Sequence, residues 1–400
     1  MSKKIRLFLT GLITAGAITV LGLQISVQGK AATFVNVRDA GMSERTDNNK
    51  ALQHIINKYD TDQTTIYVPK GSYYFSKGVI KLHSNLTFEF AKGASFRIHH
   101  GQFLSFSYPS PRKGYDGGVK NVTWKNASFI GSDVAGQSSF VQSMNHAQNI
   151  TFEDCYFYNA ENPEGHYFDI DGSRYIRIEN TTFFGFNSSK ARPYKEAIQV
   201  DYSNPVAMSY KIDGDKYDNL PSYDIHVINN RFMPIRNSDG IRYYAPNPIG
   251  EHTIYNSGKA GIIHDIYFSG NEVVDPQPLS NADYGTVNFD AISNLWITNN
   301  RFYNYSSEGP VNYIRLNNPL KDYTMNNITI SNNEFLNVEP TGQFILFDTR
   351  TKHHTSFKGV RIMENVVIPL KNKAPFIQGS FNIPDTSNIK DNTVLDALSR

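Results

Sequence analysis

The stretch IHVINNRF at residues 225–232 returns as LWITNNRF at residues 295–302. Close variants stand at residues 122–129 (VTWKNASF), 150–157 (ITFEDCYF), 176–183 (IRIENTTF), 266–273 (IYFSGNEV) and 328–335 (ITISNNEF), with a degenerate copy at 360–367. The seven clear copies start 28, 26, 49, 41, 29 and 33 residues apart. A minimal unit of about 25 to 30 residues therefore repeats with variable insertions, the spacing of coiled repeat architectures.

Within each copy, apolar and polar residues alternate with period two before an Asn-bearing turn and a large apolar residue. That pattern predicts strand, tight turn, strand. Asn tolerates left-handed backbone, and its amide can bond neighbouring turns. Stacked at one point of every coil, Asn230, Asn271, Asn300, Asn333 and Asn365 are expected to form an internal ladder. One unit cannot bury its own apolar face, whereas a column of units makes a continuous core. The expected fold is all-β, a right-handed parallel β-helix or solenoid. A single domain is expected over residues 33–400, with an N-terminal cap at 33–65 and coils at 66–395. In the cap, Thr46 and Asp47 precede Leu52, Ile55, Ile56 and Tyr59, whose spacing gives a helix one apolar face.

A chain of 400 residues fits one domain here because a solenoid core grows along its axis. A net charge of +2 argues against nucleic acid as a partner. Lys3, Lys4 and Arg6 precede an apolar run at residues 7–23, and the small residues Gly29 and Ala31 follow. Residues 1–32 are therefore expected to be a secretory signal and the protein secreted or at the cell surface, with an uncleaved anchor as the alternative. After signal removal no membrane insertion is expected. Cys155, the single cysteine, has no internal disulfide partner and is expected to be buried packing at a turn.

The segments VNVRDAGMSERTDNNKALQHI, TIYVPKGSYYF and SNLTFEFAKGA, within residues 34–98, resemble the opening of the pectin lyase-like superfamily. That superfamily includes polygalacturonases, pectate lyases and phage tailspike hydrolases. With the repeats, the resemblance spans nearly all of the mature chain and implies a carbohydrate ligand. The superfamily hosts hydrolases, lyases, epimerases and non-catalytic binders.

Candidate chemistry comes from the strand preceding each repeat. With Phe168/Ile170, Ile198/Val200, Ile241/Tyr243, Val287/Phe289, Ile314/Leu316 and Ile345/Phe347 set inward, their neighbours are expected to face solvent. One outward column then reads Asp169, Gln199, Arg242, Asn288, Arg315, Leu346; the next reads Asp171, Asp201, Tyr244, Asp290, Asn317, Asp348. Parallel strands lie about 4.8 Å apart, so Asp171 and Asp201 are expected side by side. Neighbouring carboxylates resist ionising together, which leaves a proton donor beside a charged base, the pair that glycosidic cleavage uses. Glu196 and Asp239 are expected at matching positions of consecutive strands, with His166 one coil earlier.

The resemblance implies that carboxylates on this face carry catalysis, and the matching positions are Asp169, Asp171 and Asp201. The N-T-D, D-D, G-H-G and R-I-K signatures of polygalacturonases are not intact here; Asp239 in NSDGI partly echoes the first.

The expected catalytic set is Asp169, Asp171, Asp201 and Glu196. His166, Gln199, Asp239, Arg242, Tyr244, Asn288, Asp290 and Arg315 are expected to hold substrate. Insertions at the two longest spacings are expected to wall a cleft, with Lys195 and His252 on or beside them. Hydrolysis of an extracellular polysaccharide is the favoured expectation, because acids outnumber bases on the face. A uronate lyase or epimerase and a non-catalytic glycan binder are the alternatives. No cofactor is expected, and Ca2+ enters only with the lyase. Composition leaves monomer and homo-oligomer equally open.

Overall fold

Each eight-residue phrase folds as two strands flanking a turn; residues 225–232 supply Tyr223–Ile228 and Arg231–Met233. This computed structural model describes residues 32–395 except 61–62, 100, 132–138, 160–165, 186–195, 252, 279–283, 307–308, 337–339, 341, 350–355 and 369–373. The signal expected at residues 1–32 thus lies outside the described residues but for Ala32.

Strands pair with their counterparts in adjacent coils, in parallel and in register: Ile176 with Ile225, Ile266, Leu295, Ile328 and Val360 in turn. The first strands of the phrases build a 12-stranded sheet and the second strands an 11-stranded one. A third strand in each coil builds a 10-stranded sheet. The result is the expected parallel β-helix. Three sheets enclose one apolar column, in which Phe129, Phe157, Phe183 and Phe232 stack at centroid spacings of 4.8, 5.2 and 4.8 Å. That spacing is close to the roughly 4.8 Å between neighbouring strands. Identical side chains therefore pack face on face without adjusting the backbone.

The Asn pair at the turn divides its work. The first residue takes the left-handed backbone: φ is 56° at Asn229, 58° at Asn299 and 56° at Asn332. The second points inward and forms the ladder. Asn300 Nδ2 donates to Asn333 Oδ1 (3.0 Å) and to Phe268 O (2.9 Å), while Asn300 Oδ1 accepts from the N–H and Nδ2 of Asn271. The same bonds join Asn230, Asn271, Asn300, Asn333 and Asn365, and they continue to Asn392. In earlier coils Thr181 and Cys155 take the ladder position. Cys155 is buried with its sulfur 3.5 Å from Trp124 O, and burial pushes its thiol up to about 12. It is packing, as expected.

A second, outer ladder was not anticipated. Asn85, Asn121 and Asn149 are linked amide to amide at 2.7 Å, and Asn327, Asn294 and Asp265 form a similar run.

Helix Asn49–Lys58 lies over the first coil with Leu52, Ile55 and Ile56 buried. Its N-cap is Asn48 rather than Thr46 or Asp47. The Asn48 amide is committed to the carbonyls of Ser43, Thr46 and Tyr74, so Asp47 serves the first turn by accepting from the Asn49 N–H at 3.1 Å. Among the described residues no helix is long and apolar enough to cross a membrane.

Splitting the turn into two jobs gives two different costs. Asn300→Ala leaves the buried backbone N–H of Asn271 without its acceptor and removes two further ladder bonds, and should destabilise by about 2–4 kcal/mol. Asn299→Ala loses only the left-handed tolerance and should cost about 1 kcal/mol. Urea denaturation of both variants checks the order; equal losses would contradict the division.

Candidate active site

The acid-bearing strands are Phe168–Asp171 and Glu196–Asp201, adjacent in the 10-stranded sheet. Their register pairs Asp169 with Gln199 and Asp171 with Asp201. The side-by-side placement expected from the repeat is therefore present. The next coil differs. Its strand is Asn247–Gly250, which pairs Ile198 with Ile249, Gln199 with Gly250 and Glu196 with Asn247. Ile249, not Ile241, is the inward residue.

Arg242, Tyr244 and Asp239 consequently lie off the column. Ile235–Asn237 and Gly240–Tyr243 form a separate antiparallel hairpin, turned at Ser238-Asp239, with Gly240 pairing with Asn237 at a φ of 124°. Asp239 and Arg242 are exposed there, and Tyr244 follows the hairpin, half-buried. A short polar turn closed by a glycine at positive φ makes the hairpin, and here it outweighs the apolar alternation of Ile241 and Tyr243. Lys195 and His252 lie outside the described residues.

The second correction concerns exposure. Asp169, Asp171 and Glu196 are fully buried and Asp201 is 1% exposed, instead of facing solvent. Residues 203–220, part of an insertion expected to wall a cleft, cross the sheet over Asp169, Asp171 and Asp201. Ser209 N–H donates to Asp169 Oδ2 at 2.5 Å, Ser143 Oγ to Tyr210 O at 3.0 Å, and Asn145 Nδ2 to Lys216 O at 3.0 Å. Polar sheet residues thus supply partners that draw a polar loop inward.

Beneath this strap the acids perturb one another. Burial raises Asp169 to about 6, with the N–H of Ser209 holding it down in part. Asp171 is raised well above the usual carboxylate range, first by burial and then by the charges of Asp169 and Asp201. Among the described residues no N–H group donates to either Asp171 oxygen, and burial with the neighbouring charges of Asp169 and Asp201 favours its protonated form. Asp201 instead accepts from Gln199 Nε2 and the Tyr202 N–H, both at 2.8 Å. His166 Nδ1 meets the backbone oxygen of Glu196 at 2.6 Å, placing it at the end of the acid strand.

Glu251 was missed by the sequence reading. It is fully buried and raised well above its usual range by burial and then by the charges of Asp290 and Asp201. Placing the coil at Ile241 hid it; the pattern Pro248-Ile249-Gly250-Glu251 was the available signal. Tyr217 and Tyr255 belong to the same surroundings. Burial comes first in raising both, and nearby acids add to it: Asp215, Asp171 and Asp169 at Tyr217, and Asp201, Asp171, Asp169 and Glu251 at Tyr255.

Further along the sheet, Asn288 pairs with Arg315 and Asp290 with Asn317, as expected. Arg315 is buried and contacts Asp290 and Asn288 at 3.2 Å and Asp348 at 3.4 Å. Its charge is already met by carboxylates of this chain. Among the described residues no group of three or more His, Cys, Asp or Glu side chains converges as a metal ligand set does.

Comparison with known proteins places this geometry in context. Residues 34–89 match the family described as rhamnogalacturonase A/epimerase, pectate lyase-like. That stretch ends before the acid-bearing strands. No curated protein sequence matches the chain. PfbA, a surface adhesin of Streptococcus pneumoniae, aligns over 91% of this chain and 92% of its own, at 16% identity and a TM-score of 0.63. A mutant tailspike protein of E. coli bacteriophage HK620 aligns over 92% of this chain and 63% of its own, at 10% identity and a TM-score of 0.52. At these identities the likeness is one of fold.

The buried acids set a pH dependence of stability. A carboxyl with a folded pKa above its unfolded value binds its proton more tightly when folded, so stability falls as pH rises between the two. For Asp169 that window runs from about 4 to about 6, and for Asp171 it extends higher. Thermal melting should therefore be higher at pH 5 than at pH 8. Asp171→Asn should flatten the profile and raise stability at pH 8, read as a higher melting temperature than the parent at that pH. A melting temperature unchanged between pH 5 and pH 8 would contradict the protonated form of Asp171.

Proposed function

Taking the chain as a protein of the pectin lyase-like parallel β-helix fold, we propose that it is a glycan-cleaving enzyme of the glycoside hydrolase type, acting outside the cell. One observation carries this: Asp169, Asp171 and Asp201 share adjacent strands in register, with one carboxyl favoured as the proton holder. A protonated acid next to a hydrogen-bonded carboxylate is the pair that glycoside hydrolysis requires. In this assignment Asp171 gives its proton to the glycosidic oxygen as the C–O bond breaks. Asp201 takes a proton from the attacking water, or attacks the anomeric carbon itself. The proton that Asp201 takes from water then passes back to Asp171, or, when Asp201 has attacked the carbon, the water that releases the sugar gives its proton to Asp171 directly; Asp169 beside it favours that protonated state, and Glu196 and Glu251 keep the surroundings acidic.

Buried acids are expensive without a purpose. Removing an ionised carboxylate from water costs several kcal/mol unless it is paired, and among the described residues no hydrogen-bond donor reaches either oxygen of Asp171. Residues that perturb one another this strongly are functional candidates on physical grounds. The lyase or epimerase alternative has less support. It needs a cation free to hold a uronate carboxylate, and Arg315 is engaged with Asp290 and Asp348 while Arg242 stands on the outlying hairpin.

A non-catalytic glycan binder is favoured by one specific observation, the closure of the acids beneath residues 203–220. The adhesin with the same fold supports it as a second reading.

The test is incubation of the purified protein with a panel of bacterial and plant polysaccharides and mass analysis of the products. New reducing ends are expected, with activity lost by at least a hundredfold in Asp171→Asn and Asp201→Asn while their melting curves stay cooperative. Binding without cleavage selects the binder, and an unsaturated product selects the lyase. Full activity in both variants removes these acids from the chemistry.

A further inference from the structure

The covering strap differs from the body it lies on. Its ends touch: Ser203 N–H donates to Leu220 O at 2.9 Å, Asn219 N–H to Ser203 O at 2.9 Å, and Asn204 Nδ2 to Asn219 Oδ1 at 2.6 Å. Residues 204–219 therefore form a loop closed at its base, with Gly172 and Pro221 flanking the neck. The loop reaches back over earlier coils and is fastened there by polar contacts. Ser110 N–H donates to Asp215 Oδ1 (2.8 Å) and Lys216 N–H to Ser110 O (2.8 Å). Asp218 meets His146 Nε2 at 2.9 Å and the Gly114 N–H at 2.7 Å.

Apolar anchoring is slight. The continuous core contains no residue of 204–219; Met208 is buried but stands outside it, Tyr210 meets Phe103 with ring centroids 5.6 Å apart, and Val206, near the neck, is 78% exposed. A segment held by individual polar bonds, with few buried apolar contacts, opens at far lower cost than the core strands beneath it. A loop with a closed base can lift as a unit, because its neck bonds survive the movement.

We propose that residues 204–219 are a lid, closed in this structure, which swings about its neck at Ser203 and Leu220 to expose Asp169, Asp171 and Asp201 to a glycan chain. The purpose of the lid rests on the hydrolase reading; its movement does not. Ser209 couples the two states. With the lid down its N–H satisfies Asp169, and with the lid up Asp169 loses that donor and regains water. The proton-sharing acids are thus held dry until the lid opens, and a glycan hydroxyl can replace the Ser209 N–H when it does.

Two measurements on the intact protein test the lid without relying on glycan cleavage. In hydrogen exchange, the amides of Ser209 and Lys216 should exchange at least roughly tenfold faster than those of the Phe168–Asp171 strand. In carbodiimide labelling followed by peptide mass spectrometry, Asp169, Asp171 and Asp201 should label slowly in the native chain. They should label rapidly in a variant whose residues 204–219 are replaced by a short Gly-Ser turn joining Ser203 to Leu220. Strap amides exchanging as slowly as the sheet would overturn the lid, as would equal labelling in both proteins. Should the shortened variant fail to fold, the exchange measurement still decides. A lid that moves over acids which cleave no glycan contradicts the hydrolase assignment alone.

Discussion

In-register stacking of coils, one strand spacing apart, is the constraint from which the rest of this molecule follows. The inner Asn ladder enforces it, since each amide spans from its own turn to the next coil and back to a carbonyl of the previous one. A slip of one residue along a strand would turn every apolar side chain outward and every polar one in. Once register is held, each position of the repeat becomes a column along the axis. Phe on Phe and Asn on Asn gain from that arrangement, because rings stack and amides pair.

Carboxylates in a column gain nothing comparable. Asp171 beside Asp201, with Asp169 two residues along the same strand, concentrates like charge where the ladder logic would place neutral groups. Burial and shared protons relieve the repulsion, and both raise the acids out of their usual range. The same conditions prepare a proton donor beside an acceptor. The stacking that stabilises the fold and the acid–base pair proposed for chemistry are two consequences of one geometry. A strap fastened by polar bonds completes the arrangement, because it can keep the acids dry without becoming part of the core.

Periodic features of the structure were legible in the amino-acid sequence. The phase of the repeat gave the parallel β-helix, the Asn ladder, the buried cysteine and the pairing of Asp171 with Asp201, since each depends on spacing within one coil. Features that break the period were not. Ile241 and Ile249 both offered an inward residue, and only the Ser238-Asp239 turn with Gly240 after it argued that the first belongs to a hairpin; Glu251 was lost with that choice. The strap gave no local signal of where it would lie. Its path is set by Asp218 meeting His146, 72 residues earlier, and by Ser209 meeting Asp169. Arg315 was legible as a cation on the right face, but its neutralisation by Asp290 and Asp348 depends on partners from two other coils.

The central claim is that coil stacking gathers Asp169, Asp171 and Asp201 into one proton-sharing cluster. Carbon-13 NMR of the side-chain carboxyls, in protein labelled selectively at Asp and titrated from pH 3 to pH 9, observes that cluster directly. The account predicts one resonance titrating near pH 6 and a second, coupled to it and raised well above the ordinary range; in Asp171→Asn the second is missing and the first persists with a shifted midpoint. Three independent titrations in the ordinary carboxylate range near pH 4 would contradict it.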